Sequence, residues 1–336
     1  MSEGRVSAQS SAGVREGRRG RRGRPEGGEQ PAVPRAEFRS YYGQPVIKEP
    51  VWREPEVPGY LFLGGLAGAS SVLALSAQAC GHRELARNAK VAAAGAIMGS
   101  AAALIADLGR PTKFLNMLRV FKPSSPMSVG SWLLAGYGPL AGAAAASAVT
   151  GWLPRAGAAA TAGAAALGPG IATYTAALVC DTAVPAWHDA HREMPYVFAG
   201  SAASAAGGLA MLTVPAGQEG QAVTFALLGA ATELTAKQLL VRRLGETAAP
   251  YHKGRPGKLM RIAEVLTATG LAGGALGWRS RSVSGPVIRA SGLALVAASA
   301  LTRFGVFEAG QESARDPGYT IGPQRERLQA HATADV

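Results

Sequence analysis

Four side chains with directional hydrogen-bonding groups, Tyr60, Ser131, Trp132 and Tyr174, lie inside or at the ends of apolar runs in this chain. Ionisable residues share those settings: Asp107, Asp181, Glu233, Lys237, Arg261, Glu264 and Arg289. A charge inside an apolar run is costly, so each of these marks either a structural pair or a functional position. Glu233 and Lys237 are four residues apart and Arg261 and Glu264 three apart, spacings that let helical side chains meet and neutralise one another. Such pairs either hold helices together or pass protons, which makes Asp107, Glu233 and Glu264 the proton-transfer candidates. Hydroxyl and indole donors at the depth of a carboxylate can orient a polar headgroup whose apolar tail stays among the helices.

Other chemistries lack their residues. All five histidines, His82, His188, His191, His252 and His331, fall outside the apolar runs, so no axial pair for a membrane haem is expected. There is no Cys-x-x-Cys, and Cys80 and Cys180 stand alone, which excludes a ferredoxin-type iron–sulfur motif in this chain and reads as two small core residues. His188 and His191 flank Asp189 as a solvated loop cluster rather than a metal site.

The elements that must position the candidates are long helices. Of 336 residues, 48% are hydrophobic and only 17% charged, and the apolar residues come in blocks long enough to cross a hydrocarbon core. Spans are expected at 59–80, 89–108, 129–152, 156–182, 196–215, 220–240, 259–278 and 284–304, giving an all-α polytopic membrane domain over 51–306. Trp52, Trp132, Trp152, Trp187 and Trp278 fall at or near span ends, where amphipathic rings settle. Residues 1–50, with GRRGRRGRPEGG at their centre, are too polar to bury a core and are expected to be a disordered arm. An extended tail is expected over 307–336.

The formal net charge of +12 would suggest nucleic acid in a soluble protein. Here the basic residues crowd the arm and the connections 109–128 and 241–258, so they read as topology: no nucleic acid, a multi-pass cell-membrane protein, and both termini in the cytoplasm. Anionic membrane lipid is the expected neighbour of the arm.

The connection from Asp107 to Trp132, DLGRPTKFLNMLRVFKPSSPMSVGSW, is polar, basic and punctuated by proline between two apolar runs. Asp107 and Arg110 are spaced to pair. Phe114, Leu115, Met117, Leu118, Val120 and Phe121 give a short amphipathic segment from which Lys113, Arg119 and Lys122 project, and Ser124, Ser125 or Ser128 can cap the next helix. Arg110, Lys113, Arg119 and Lys122 thus form a docking surface for an acidic partner.

This run resembles the signature loop of the NrfD family, membrane subunits related to that of polysulfide reductase. Tyr60 to Gly68, YLFLGGLAG, resembles the family's first helix, Tyr174-Thr175 its fourth, and Arg303 to Arg325 a tail seen in some members. The resemblance implies eight transmembrane helices in two four-helix bundles. It also implies a menaquinone or other quinone as cofactor, an iron–sulfur (ferredoxin-like) partner subunit, and a molybdopterin catalytic subunit of formate-dehydrogenase-like or polysulfide-reductase-like type. Quinone contact transfers best to Tyr174, whose Tyr-Thr dipeptide matches the motif, with Tyr60, Ser131 and Trp132 as further candidates. Leu61 and Pro58 stand where relatives use His and Asn, a departure that moves weight onto Tyr60. The competing reading is a secondary transporter or proton-conducting protein coupled through Glu233, Lys237 and Glu264.

Overall fold

The computed structural model describes residues 46–108, 111–215, 218–280 and 284–322; most of the Arg-rich arm, Arg110 and the chain beyond 322 lie outside the described residues. Helices account for most of what is described, with no strand among these residues. They are α1 Glu56–Ala79, α2 Arg83–Asp107, α3 Pro126–Thr150, α4 Pro154–Cys180, the short α5 Pro185–Asp189, α6 Met194–Thr213, α7 Gly220–Leu244, the single turn α8 Ala249–His252, α9 Gly254–Arg279 and α10 Ser284–Arg315. Proline occupies the first turn of α3, α4, α5 and α6, where its missing N–H costs no hydrogen bond.

Seven helices, α1, α2, α3, α4, α6, α9 and α10, are long and apolar enough to cross a membrane. Helix α7 matches them with 25 residues but carries Glu233, Lys237, Arg242 and Arg243, which lower its hydropathy. Helix α1 packs on α2, α4 and α6; α3 lies on α4 and α2; α6 lies on α7 and α10; and α9 lies on α10 and α7.

Small residues set the closest of these approaches. A Cβ built on Gly68 of α1 would collide with the carbonyl oxygen of Gly168 in α4, and one built on Gly168 would stand 2.5 Å from the Gly68 oxygen. The two backbones are therefore in contact, as expected where lipid gives apolar side chains no reason to cluster and packing must come from close fit. One residue of α3 locks onto the same helix: the buried Tyr137 hydroxyl donates to the Ala67 carbonyl at 2.6 Å and is itself 2.6 Å from Ser71 Oγ.

The two ends of the helices differ. At one, the turns 80–82 and 151–153 are short, with left-handed Gly81 and Gly151 reversing the chain. The other end carries the 3-10 helix Pro111–Leu118, α5, α8, the chain after α10 and residues 46–55, which run across it as a strap. There Trp52 stacks on Trp187 with ring centroids 5.4 Å apart, Gln311 Nε2 donates to the Trp52 carbonyl at 3.3 Å, and the Arg53 N–H donates to Asp107 Oδ1 at 3.2 Å. Arg255 reaches both Glu54 (3.6 Å) and Glu308 (3.3 Å), and Arg315 pairs with Glu49 at 3.2 Å.

Several expectations change. Helix α10 continues to Arg315, so 307–315 is helical rather than extended, and residues 46–50 belong to the strap. Trp187 is fully buried between Trp52 and Phe307, its Nε1 donating to the Val306 carbonyl at 2.7 Å, so it is a core residue and not part of an interfacial belt. Cys180 is buried, but Cys80 is exposed in the turn after α1. Ser125 sits at the N-cap of α3 without a side-chain cap; Ser128 Oγ instead donates to the Val120 carbonyl and accepts from the Lys122 N–H, both at 3.0 Å, closing the loop on itself.

Candidate functional site

Helices α1 and α4, held together at Gly68 and Gly168, bring Tyr60 and Tyr174 face to edge at the loop-rich end, with ring centroids 6.4 Å apart and their hydroxyls hydrogen-bonded to each other. Both are buried. Beside them is a cavity of about 80 Å³ whose wall includes Trp52 of the strap, Leu61, Asp107, Ser131 and Met117. Gly130 of α3 makes room for the Tyr174 ring, since a Cβ there would overlap it.

The hydrogen-bond inventory of this cluster is specific. A phenol has one hydrogen to donate, so two phenols bonded to each other use one and keep one. Ser131 Oγ spends its hydrogen on the Met127 carbonyl one turn back, at 2.9 Å, leaving acceptor lone pairs. Asp107 is half-buried at the end of α2, with one carboxylate oxygen held by the strap. The pocket thus offers a free hydroxyl hydrogen, a carboxylate near the surface and an apolar wall.

Of the residues expected at the site, Tyr60, Ser131, Tyr174 and Asp107 come together. Trp132 does not: one position past Ser131 it turns out of the bundle, 44% exposed, and packs edge-on against Phe121. Asp181 is exposed at the end of α4. Arg119 and Lys122 are exposed beside Leu115, Val120 and Phe121, while Arg110 and the side chain of Lys113 lie outside the described residues.

Glu233 and Glu264 belong elsewhere, so the residues expected at one depth divide between two places. Glu233 is fully buried in α7, 2.7 Å from Lys237, and Thr302 of α10 bridges the pair by donating to Glu233 Oε1 (2.8 Å) and accepting from Lys237 Nζ (2.9 Å). The second Glu233 oxygen has no partner among the described residues. Glu264 of α9 faces a void of about 20 Å³ that Lys237, Tyr251 and His252 also line. Its expected partner Arg261 is exposed and donates to the Gly257 carbonyl of its own helix at 3.2 Å.

Two further residues stand inside the protein without any mark in the sequence of such a role. Arg303 of α10 is fully buried, its guanidinium 3.7 Å over the Phe198 ring and one nitrogen donating to the Phe198 carbonyl at 2.8 Å, while Nε and Nη1 are unpartnered among the described residues. A span ending at 304 makes Arg303 a boundary charge; the longer helix puts it in the interior. Trp52 precedes the first apolar run and carried no signal of lining a pocket.

Outside the bundle, Arg243 grips Glu193 with two hydrogen bonds of 2.6 Å and also donates to the Asp189 carbonyl. The bond from Arg243 holds the Glu193 carboxyl below the usual glutamate range.

A set of apolar helices with charged and phenolic groups turned inward defines a multi-pass membrane protein. Residues 47–234, more than half of the chain, match the family model described as polysulphide reductase, NrfD, and the chain belongs to that family. Its members are generally quinone-interacting membrane subunits of redox complexes that partner with iron–sulfur and molybdopterin subunits. A search of the curated proteins found no match.

Proposed function

We propose that this chain is the quinone-binding membrane subunit of a respiratory redox complex, with the headgroup seated against Tyr60, Tyr174 and Asp107. The observation that carries this reading is the pair of buried tyrosines with one hydroxyl hydrogen to spare in an apolar pocket beside a half-buried carboxylate. A bound quinone would supply two-electron, two-proton redox chemistry. The free phenolic hydrogen would hold one of its carbonyls, and Asp107 would exchange protons with water.

The residues fit the group chemically, but about 80 Å³ is well below the roughly 300 Å³ at which ligand pockets begin, so binding requires part of the wall to move. Trp52 and Met117 belong to segments outside the long helices, so their displacement would open the pocket without moving a long helix. Electrons would pass to or from an iron–sulfur subunit docked over Arg119 and Lys122, with a molybdopterin catalytic subunit beyond it. In this reading α7 is an eighth span, its Glu233 and Lys237 paired inside the bundle, the helices form two four-helix bundles, and both termini are cytoplasmic.

The buried Glu233, Lys237 and Thr302 cluster favours a second reading, a proton-conducting protein in which Glu233 and Glu264 load protons. Co-purification from native membranes separates the two. The redox reading expects cluster-bearing subunits with paramagnetic signals and bound quinone. A chain that purifies without either and acidifies proteoliposomes supports the second.

A further inference from the structure

At the opposite, short-turn end a groove of about 620 Å³ opens between α2 and α6. Its walls are apolar, with Val91, Val149 and Leu209 among them. Two polar features stand out. At the mouth, Arg87 is exposed and makes no ion pair or hydrogen bond among the described residues, including with Glu84 one turn earlier. At the floor, Ser70 of α1 is 1% exposed and its hydroxyl has no partner among the described residues, although it lines the groove. An unpaired hydroxyl in a dry setting carries a desolvation penalty that a ligand acceptor would remove. Asn88 is occupied: its side-chain nitrogen donates to the Thr213 carbonyl at 2.9 Å, fixing the width of the groove.

The vertical order of these groups selects the ligand. Ser70 precedes the end of α1 by nine residues and Ala92 follows the start of α2 by nine, so across the short turn they stand level. Arg87 is five residues nearer the surface, roughly 7 Å higher at the helical rise. From the surface inward the groove therefore presents a cation and then, about a glycerol's length below it, a hydroxyl donor, with Val91 and Leu209 lining the interval between them. We propose that this groove is a binding site for a phospholipid with an anionic headgroup: phosphate at Arg87, the glycerol backbone along Val91 and Leu209, and an ester carbonyl accepting from Ser70, from which the acyl chains run on into the bilayer. A quinone is uncharged and would leave the guanidinium without a counterion, so charge complementarity favours the phospholipid.

The test is lipid retention by the full-length protein purified in mild detergent, read by native mass spectrometry, with the thermal midpoint measured after delipidation and add-back of phosphatidylglycerol or phosphatidylcholine. Wild type should retain an anionic phospholipid and be stabilised more by phosphatidylglycerol. Arg87→Glu, a surface change that leaves the fold intact, should lower retention several-fold and abolish the preference. Ser70→Ala should lower retention without changing headgroup preference. Equal retention by wild type and Arg87→Glu, equal stabilisation by the two lipids, or a quinone lost from Arg87→Glu in place of a phospholipid would each overturn the proposal.

Discussion

The paired tyrosines allow a quantitative expectation. In the free protein the Tyr60 and Tyr174 hydroxyls satisfy each other, so the pair reaches a ligand carbonyl through the one hydrogen left over. Tyr174→Phe or Tyr60→Phe leaves a single phenol that can turn its hydrogen to the ligand but loses its own partner. That bond is missing from the free and the bound protein alike and so largely cancels; each single variant loses only the orientation the pair gives its donor and should bind quinone at most several-fold more weakly. The double Phe variant has no donor, so the bond to the ligand, about 1 kcal/mol, is lost and a carbonyl left unpaired in this pocket adds about 1–3 kcal/mol; affinity should fall by roughly one and a half to three orders of magnitude in all. The loss in the double variant should therefore exceed the sum of the single losses. The assay is quinone titration of the assembled complex in membranes, with subunit content checked to show that assembly survives. Wild-type affinity in the double variant, with assembly intact, would refute the placement of the headgroup.

Three further outcomes are expected. Gly130→Ala puts a Cβ into the Tyr174 ring, so it should weaken quinone affinity about as much as Tyr174→Phe while both hydroxyls remain, measured by the same titration. Glu193 is depressed by its bond to Arg243, so its stabilisation is complete above the ordinary glutamate value and is lost as pH falls through the lowered one; the difference in thermal midpoint between wild type and Glu193→Gln should be present at neutral pH and vanish in acid. Joint charge reversal at Arg119 and Lys122 should release the iron–sulfur partner at physiological salt, scored by co-purification, and an intact complex would confine those charges to topology.

Most of the helical layout was legible because a membrane span announces itself by length: seven of the eight expected runs coincide with helices apolar and long enough to cross. Tyr60 and Tyr174 were legible as candidates because few phenols share the depth of a carboxylate and because Tyr174-Thr175 resembles the family's fourth-helix motif. Depth alone, however, could not say which helices touch. Gly68 and Gly168 decide that α1 meets α4, and the resulting geometry separates Glu233 and Glu264 from the tyrosines. Trp132 failed for a related reason. Successive helical residues point about 100° apart, so Ser131 can face the pocket while its neighbour faces out. Arg303 was obscured by hydropathy itself, because a charged residue near the end of an apolar run reads as the end of the helix.

The strap of residues 46–55 gives the pocket wall a long reach. Trp52 is at once a side of the cavity, a stacking partner of Trp187 and, through its carbonyl, a tether to Gln311, while its neighbours Arg53 and Glu54 are tied to Asp107 and Arg255. A ligand that enters by displacing Trp52 must also loosen the strap's hold on α9 and α10. Its apparent dissociation constant is then the intrinsic one divided by the fraction of molecules whose strap is already released. Reciprocity would follow: whatever competes for Glu54 or Arg255 at the surface would tighten ligand binding by the same factor by which the ligand favours that competitor. Occupancy of the membrane pocket would then be read, and set, at surface charges outside the bundle.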